Sequence, residues 1–383
     1  MSPSVQPRTR SGPLVTSILG TGSALLYLHF PSLDTLPDQF KVHSIYERKE
    51  SGRLDSLREG GKLEGVKIVR TLEEVVNDEE VELVVITTPN NTHYEFTKSA
   101  LNANKHVLLE KPICPTLAEA TELYELAEQK GLILGVYHNR RWDSDFLTMK
   151  GLLDSGKLGI PLELTSTFDR YRPLPSTYKR GANWKETPGE SNSSIFNLGT
   201  HLIDQAVVLF GIPERVAGRC VDQRGIGMDE SFVLDLFYPP TPPSSCPLTI
   251  TVRASILSPL PHQLRYLLKC TKGSYVKYNL PASHPAIKDL GSPAIHEGFM
   301  IEPEAGWGTV YLAEEEKDGT GYKEEILPAV KGNYPALYAN LLEAIDSGDR
   351  GKLIIRRDQV LAVLKIIELG VKSSDQGRVM KYE

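Results

Sequence analysis

Cysteine is scarce in this chain. The four present, Cys114, Cys220, Cys246 and Cys270, stand far apart and form no CxxC pair. That excludes a disulfide framework and a thiolate zinc site, so no metal is expected, and it points to a reducing, cytoplasmic compartment. Long apolar runs are missing as well, and none reaches the roughly 20 residues of a transmembrane helix. Positive charge is not in excess: 43 Lys and Arg face 49 Asp and Glu, for a formal net charge of -6. Nucleic acid and anionic membrane both require clustered cations, so neither is expected as a partner. The opening residues, MSPSVQPRTRSGP, lack the apolar core of a secretory signal. They also lack acids, as organelle-targeting peptides do, but their Ser, Pro and Arg content reads as a disordered tail over residues 1–13.

What remains is globular. Charged residues make up 24% and hydrophobic residues 40% of the chain, enough to bury cores without staples. From Leu14 short apolar runs alternate with helical stretches: LVTSIL, KVHSIY, VKIV, VELVVIT, HVLLE and LILGVY, the last ending at Tyr137. Most are continuous rather than alternating, as in parallel strands covered on both faces. Thr71 with Glu74, Thr92 with Glu95 and Thr116 with Glu119 fit capping boxes at helix starts between them. The expectation is a doubly wound parallel sheet over residues 14–137. After Tyr137 a helix is expected over Trp142–Ser155, then a strand at Glu163–Phe168 and a long polar stretch, Asp169–Ser194. Closer, more alternating strands follow between Val216 and Asn279, with PPTPPSSCP (Pro239–Pro247) as a hairpin connection too proline-rich for a strand. Two helices close the chain, near Tyr334–Ser347 and Asp358–Lys372. Residues 138–383 therefore read as an α+β domain with a large open mixed or antiparallel sheet, whose C-terminal helix can pack back on the first domain. There is no internal repeat.

Directly after the first strand stands GTGSAL, Gly20–Leu25. Gly20 permits a tight turn, Gly22 lets the backbone approach a pyrophosphate, and the helix N-terminus that follows Thr21 and Ser23 attracts phosphate. The fingerprint GxGxxG has Leu25 where a third glycine would stand, which predicts looser helix-to-strand packing. The second strand ends in YERK. Glu47 there favours the ribose hydroxyl of NAD, while Arg48 and Lys49 favour the 2′-phosphate of NADP; the two cations tilt the reading slightly to NADP. The fifth strand ends in LLEKPICP, so Lys111 lies at the ligand edge of an open α/β sheet, with Pro112 holding it extended. A surface lysine at a strand end is the ordinary alternative.

TPNNTH (Thr88–His93) followed by EKP (Glu110–Pro112) resembles the glucose–fructose oxidoreductase/inositol dehydrogenase/MocA family. The resemblance continues through YHNRRWDSDF (Tyr137–Phe146), FDRYRP (Phe168–Pro173) and GTHLIDQAVVLFG (Gly199–Gly211). It is strongest toward the branch that holds NADP-dependent scyllo-inositol dehydrogenases and related sugar oxidoreductases. It implies a Rossmann domain, an α+β domain whose open sheet often forms a dimer face, and reversible hydride transfer between a sugar, inositol or polyol and NAD or NADP. It places Thr88, Pro89, Asn90, His93, Glu110 and Lys111 with the cofactor. It also implies that His201 is the acid/base, as part of a D-x-x-x-H pair.

That chemistry suits the residue types. A histidine takes the alcohol proton near neutral pH while a lysine cation stabilises negative charge on oxygen. Without the resemblance, His201 would read as a buried helix histidine. Asn197, one helical turn earlier, stands where the family has Asp. It can orient His201 or bond a hydroxyl but cannot raise the histidine pKa by charge. The run before it, GESNSS (Gly189–Ser194), also departs from the family's glycine-rich pattern. His138, Asn139, Arg140, Trp142, Asp169, Tyr171 and Arg172 are candidate substrate contacts, along with Arg141 and Arg170. For Arg140 and Arg141 an ion pair with Asp143, Asp145 or Asp169 is an equal alternative. His29 is expected to face the cofactor cleft. Two other readings stay open: a sugar sensor that binds cofactor without turnover, and nicotinamide-assisted elimination or hydrolysis without net redox. A homodimer or higher homo-oligomer is expected.

Overall fold

The computed structural model describes residues 12–175, 177, 187–189, 191–240, 245–281, 298–314 and 321–383. All of the expected tail but Gly12 and Pro13 lies outside them, as do parts of the polar stretch and of the proline-rich connection. Two compact units result. Among the described residues the first takes in Gly12–Asn139, Gly298, Phe299 and Asn333–Leu361; the second begins at Arg140 and takes in Met300–Gly332 and Ala362–Glu383.

The first unit is built on six parallel strands: β1 (Leu14–Leu19), β2 (Phe40–Tyr46), β3 (Lys67–Val69), β4 (Leu83–Ile86), β5 (His106–Leu109) and β6 (Leu134–Val136). Their order is β3-β2-β1-β4-β5-β6, the doubly wound arrangement in which strand order reverses between β1 and β4. β4 and β6 are buried throughout, as their unbroken apolar runs require. The helices are α1 (Phe30–Asp34), α2 (Asp55–Glu59), α3 (Leu72–Val76), α4 (His93–Asn102) and α5 (Leu117–Gln129), with α8 (Pro335–Ser347) returning late in the chain.

Of the three expected capping boxes only Thr116–Glu119 is complete. Thr71 accepts from the Glu74 N–H, but the Glu74 carboxylate accepts from Arg70 N at 2.8 Å instead. Thr92 caps nothing. Asn90–Thr92 is a 3₁₀ turn, and the Thr92 hydroxyl lies 2.7 Å from the Pro89 carbonyl and 2.6 Å from Thr88 Oγ1.

The second unit is a nine-stranded mixed sheet. Its strands are β7 (Pro161–Thr167), β8 (Arg215–Val221), β9 (Ser231–Tyr238), β10 (Leu248–Ala254), β11 (Leu264–Cys270), β12 (Gly273–Tyr278), β13 (Gly308–Ala313), β14 (Tyr322–Leu327) and β15 (Met380–Lys381). They run in the order β14-β13-β12-β11-β7-β10-β9-β8-β15. Only β7 and β10 pair in parallel among the described residues. β13, β14 and β15 lie beyond the strands expected up to Asn279; β14 is largely exposed and charged and β15 is two residues long, so neither of those two carries an apolar alternation. The helices are α6 (Ser144–Asp154), which starts two residues later than expected, α7 (Thr200–Phe210) and most of α9 (Arg357–Gln376). β9 alternates buried and half-buried residues along its length, so one face of the sheet is covered. The segment leading into α7 packs on that face so closely that a Cβ at Gly199 would lie 3.2 Å from the Phe232 ring.

Candidate functional site

Because the first sheet is parallel, everything that follows a strand meets at one edge. After β1, Gly20 adopts φ +108, and a Cβ there would lie 2.9 Å from Thr87 Oγ1 and 3.2 Å from its backbone. Only glycine fits. Gly22 differs: its φ is ordinary and a Cβ would meet nothing within 4 Å. The space in front of it is open, Ser23 is exposed, and no side chain caps the helix that begins there. A phosphate fits such a cradle, held by free backbone N–H groups. The helix contains a π turn, Leu25–His29, closed by the Phe30 N–H bonding the Leu25 carbonyl. Pro31 follows and has no N–H to give, which removes the α-type bond expected at that point. Leu25 is fully buried, so the absent third glycine does not loosen the packing; the helix widens instead.

At the end of β2, Glu47 is only 3% exposed. Its Oε1 accepts from Ser51 Oγ at 2.8 Å and Ser51 N at 3.2 Å, and its Oε2 pairs with Arg70 at 2.9 Å. Burial opposes ionisation there, but the Ser51 and Arg70 bonds outweigh it and hold the carboxyl below the usual range. Arg48 and Lys49 are exposed beside it.

After β4 and β5, two of the resembling motifs are tied together. His93 is fully buried; its Nδ1 lies 2.8 Å from the Pro112 carbonyl and its Nε2 lies 3.0 Å from the Thr88 carbonyl. Burial pushes this histidine's pKa down, with the two carbonyls opposing. The side chain braces the loops from beneath. Pro89 is half-buried beside Thr88, and Asn90 is buried. Glu110 is also buried. Its Oε2 accepts from the Lys111 N–H at 3.0 Å, and its Oε1 lies 3.0 Å from His29 Nε2. Burial raises the Glu110 pKa, but His29 and then Lys111 bring it below the ordinary value. His29 Nδ1 meets Tyr338 Oη at 2.7 Å, and its ring stacks 4.0 Å from Tyr137. The expectation for His29 is thereby corrected: with no exposed surface, it faces the core and supports Glu110. Tyr338, some 300 residues beyond His29, carries no signal in the sequence. Lys111 is half-buried, and its bond to Pro112 is cis. His138 and Asn139, after β6, are buried.

In the second unit Asn197 lies in a further π turn, Ile195–Gly199, closed by the Thr200 N–H bonding the Ile195 carbonyl. His201 sits in the first turn of α7 and is 7% exposed. Irregular turns of this type concentrate at functional sites. Asp204 follows at i+3 and takes Arg141 in a buried two-point pair, Nε at 2.9 Å and Nη2 at 2.6 Å. The ion-pair reading of Arg141 therefore holds, with Asp204 as the acid in place of Asp143, Asp145 or Asp169. Arg140 pairs with Asp143 at 2.8 Å, one of the acids expected, and its carbonyl accepts from Gln205 Nε2 at 2.9 Å. Trp142 is 9% exposed. Asp169 lies 3.3 Å from Arg253; burial raises its pKa and that arginine opposes the rise. Tyr171 is exposed and bridges Leu257 through its backbone, and Arg172 is exposed. Arg224 and Glu230, which the sequence did not single out, form a buried pair.

Several known proteins are similar to this chain. The profile of the GFO_IDH_MocA oxidoreductase family, with its NAD-binding Rossmann fold, matches residues 15–138. That of the GFO/IDH/MocA C-terminal domain matches residues 146–276. The chain is 36% identical over 369 residues to oxidoreductase C115.03 of Schizosaccharomyces pombe, spanning 95% of this chain and 98% of that protein. It is 30% identical over 377 residues to the scyllo-inositol 2-dehydrogenase (NADP(+)) IolW of Bacillus subtilis, spanning 98% of each. Among solved structures, oxidoreductase yvaA of Bacillus subtilis matches with a TM-score of 0.84 at 29% identity, over 98% of this chain and 100% of that one. No helix among the described residues is long and apolar enough to cross a membrane. The chain belongs to the GFO/IDH/MocA family of oxidoreductases, which bind their cofactor through an NAD-binding Rossmann fold.

Proposed function

We propose that this protein is an NADP-preferring oxidoreductase that exchanges a hydride with a secondary alcohol or ketone of a sugar, an inositol or a related polyol. The observation that carries this reading is the placement of Lys111. It stands at the carboxyl end of β5, its backbone N–H held by buried Glu110, on the same sheet edge as the open cradle at Gly22. The nicotinamide, when bound, supplies the hydride acceptor or donor. The chain's own residues handle charge and proton: Lys111 offsets negative charge developing on the reacting oxygen, and His201 removes the hydroxyl proton in oxidation and returns it in reduction. Asn197 orients His201 or bonds a substrate hydroxyl. His138, Asn139 and Trp142 contribute substrate contacts. The engagement of Glu47 by Ser51 and Arg70, with Arg48 and Lys49 exposed beside it, supports NADP over NAD. So does the NADP(+) for which IolW is named. Half-buried Val233 and Phe237 on the face of β9 opposite its buried residues support assembly as a homodimer or higher homo-oligomer.

The test mixes the purified chain with NADP or NAD and a polyol panel that includes scyllo-inositol, myo-inositol and glucose, and follows reduced-nicotinamide absorbance. Turnover is expected, faster with NADP. Tight cofactor binding with no turnover on any member would overturn the reading in favour of a sensor.

A further inference from the structure

Four arginines gather at one end of the second sheet: Arg170 and Arg172 just beyond β7, Arg140 ahead of α6, and Arg224 beyond β8. Two of them pair with acids. Asp143 holds Arg140 at 2.8 Å. Glu230 accepts from Arg224 Nε at 2.7 Å, and Arg224 Nη1 in turn donates to the Arg172 carbonyl at 3.0 Å. The nearby acid Asp169 turns to Arg253.

Arg170 is different. Its backbone is fixed on both sides, N to the Ser255 carbonyl at 2.9 Å and carbonyl from Ser258 N at 3.1 Å. Its guanidinium lies over the Phe168 ring, 5.6 Å from the centroid, and Arg140 lies 5.0 Å from the same centroid. Among the described residues it forms no ion pair and no side-chain hydrogen bond, and its Nε is shut off from solvent without a partner. Burial first, then repulsion from Arg172, Arg140 and Arg224, pushes its pKa down. The residue is half-buried; a guanidinium nevertheless stays cationic at neutral pH, and a cation partly withdrawn from water with no counter-ion is costly. Its planar fork matches a carboxylate or a phosphate at two points.

The cluster is also fastened to the segment that carries Asn197 and His201. The Glu230 carbonyl accepts from Ser194 Oγ at 2.8 Å, just before that segment, and Gln205, one turn after His201, holds the Arg140 carbonyl.

We infer that Arg170, flanked by Arg140 and Arg172, is the receptor for an anionic group on the substrate, so that the preferred polyol carries a carboxylate or a phosphate. The inference rests on the proposed oxidoreductase reading and narrows its substrate class. The missing counter-ion arrives with the substrate, and its binding relieves the repulsion among the cations.

The test measures equilibrium binding to the NADP-loaded full chain by titration calorimetry, using glucose, glucuronate and glucose 6-phosphate, with inorganic phosphate as a minimal probe. At least one anionic sugar is expected to bind about tenfold or more tightly than glucose, as one charge-assisted hydrogen-bond pair supplies. Whichever anion wins distinguishes carboxylate from phosphate. Arg170→Met, which keeps an apolar stem against Phe168, is expected to remove that advantage while NADP affinity stays unchanged; Arg170→Lys is expected to restore part of it. Equal binding of neutral and anionic sugars, or anion binding undiminished in Arg170→Met, overturns the inference. Anion binding through Arg170 without cofactor reduction leaves the receptor standing and defeats the proposed reaction. Turnover of neutral polyols, unaffected by Arg170→Met, does the reverse.

Discussion

Glu110 Oε1 and His29 Nε2 lie 3.0 Å apart in the core of the first unit, while the other oxygen of Glu110 takes the Lys111 N–H. The lysine's backbone is thus fixed by a buried charge whose partner comes from another element. Removing one partner of such a buried pair costs about 3 kcal/mol or more, so Glu110→Ala is expected to lower unfolding free energy by that order in urea titrations. The folded pKa of Glu110 lies below the ordinary value. Its contribution is therefore fully present above the unfolded carboxyl's pKa, about 4.3, and is lost as pH falls through the folded value. The stability gap between wild type and variant is expected to shrink on acidification across that window; a gap that widens contradicts the assignment.

The two glycines of the first turn separate fold from ligand. Gly20→Ala meets Thr87 and a positive φ, and is expected to cost about 1–3 kcal/mol of stability. Gly22→Ala enters open space and is expected to leave the melting temperature unchanged while weakening NADP binding. Calorimetry on both variants checks this, and equal melting losses would refute it.

Arg48 and Lys49 are exposed at the end of β2. Replacing both by alanine is expected to weaken NADP binding by about tenfold or more, with NAD little affected, because only NADP offers a 2′-phosphate for charge-assisted bonds. Cofactor titrations by fluorescence read this directly. Losses equal for both cofactors would place the cations elsewhere.

Much of this was legible in the sequence, for physical reasons. The parallel strands of the first unit are buried, so their apolar runs are unbroken, and the turn chemistry at Gly20 announces itself because no other residue tolerates that φ. What escaped depends on partners distant in sequence. His29 reads as a cleft residue until Tyr338 and Glu110 surround it, and no local pattern connects Asp204 with Arg141, although Asp204 lies one turn from His201. Thr92 has the spacing of a cap, but the 3₁₀ turn before α4 redirects its hydroxyl. β14 went unseen because an exposed edge strand carries charge rather than alternation.

Asn197 stands one turn before His201 where the resembling family has Asp. A carboxylate there stabilises the imidazolium. Asn197→Asp is expected to move the acid limb of the kcat/KM profile for alcohol oxidation to higher pH by about half a unit or more. An unmoved limb, measured over the full pH range, argues that Asn197 does not face the His201 ring.

The central claim is that Lys111 and His201 carry the reaction. The direct measurement is single-turnover formation of reduced nicotinamide by wild type, Lys111→Ala and His201→Ala at saturating NADP, with the best polyol from the panel. Each variant is expected to lose about 10²-fold or more in rate while binding NADP almost as wild type does. Rates near wild type in both would contradict the account.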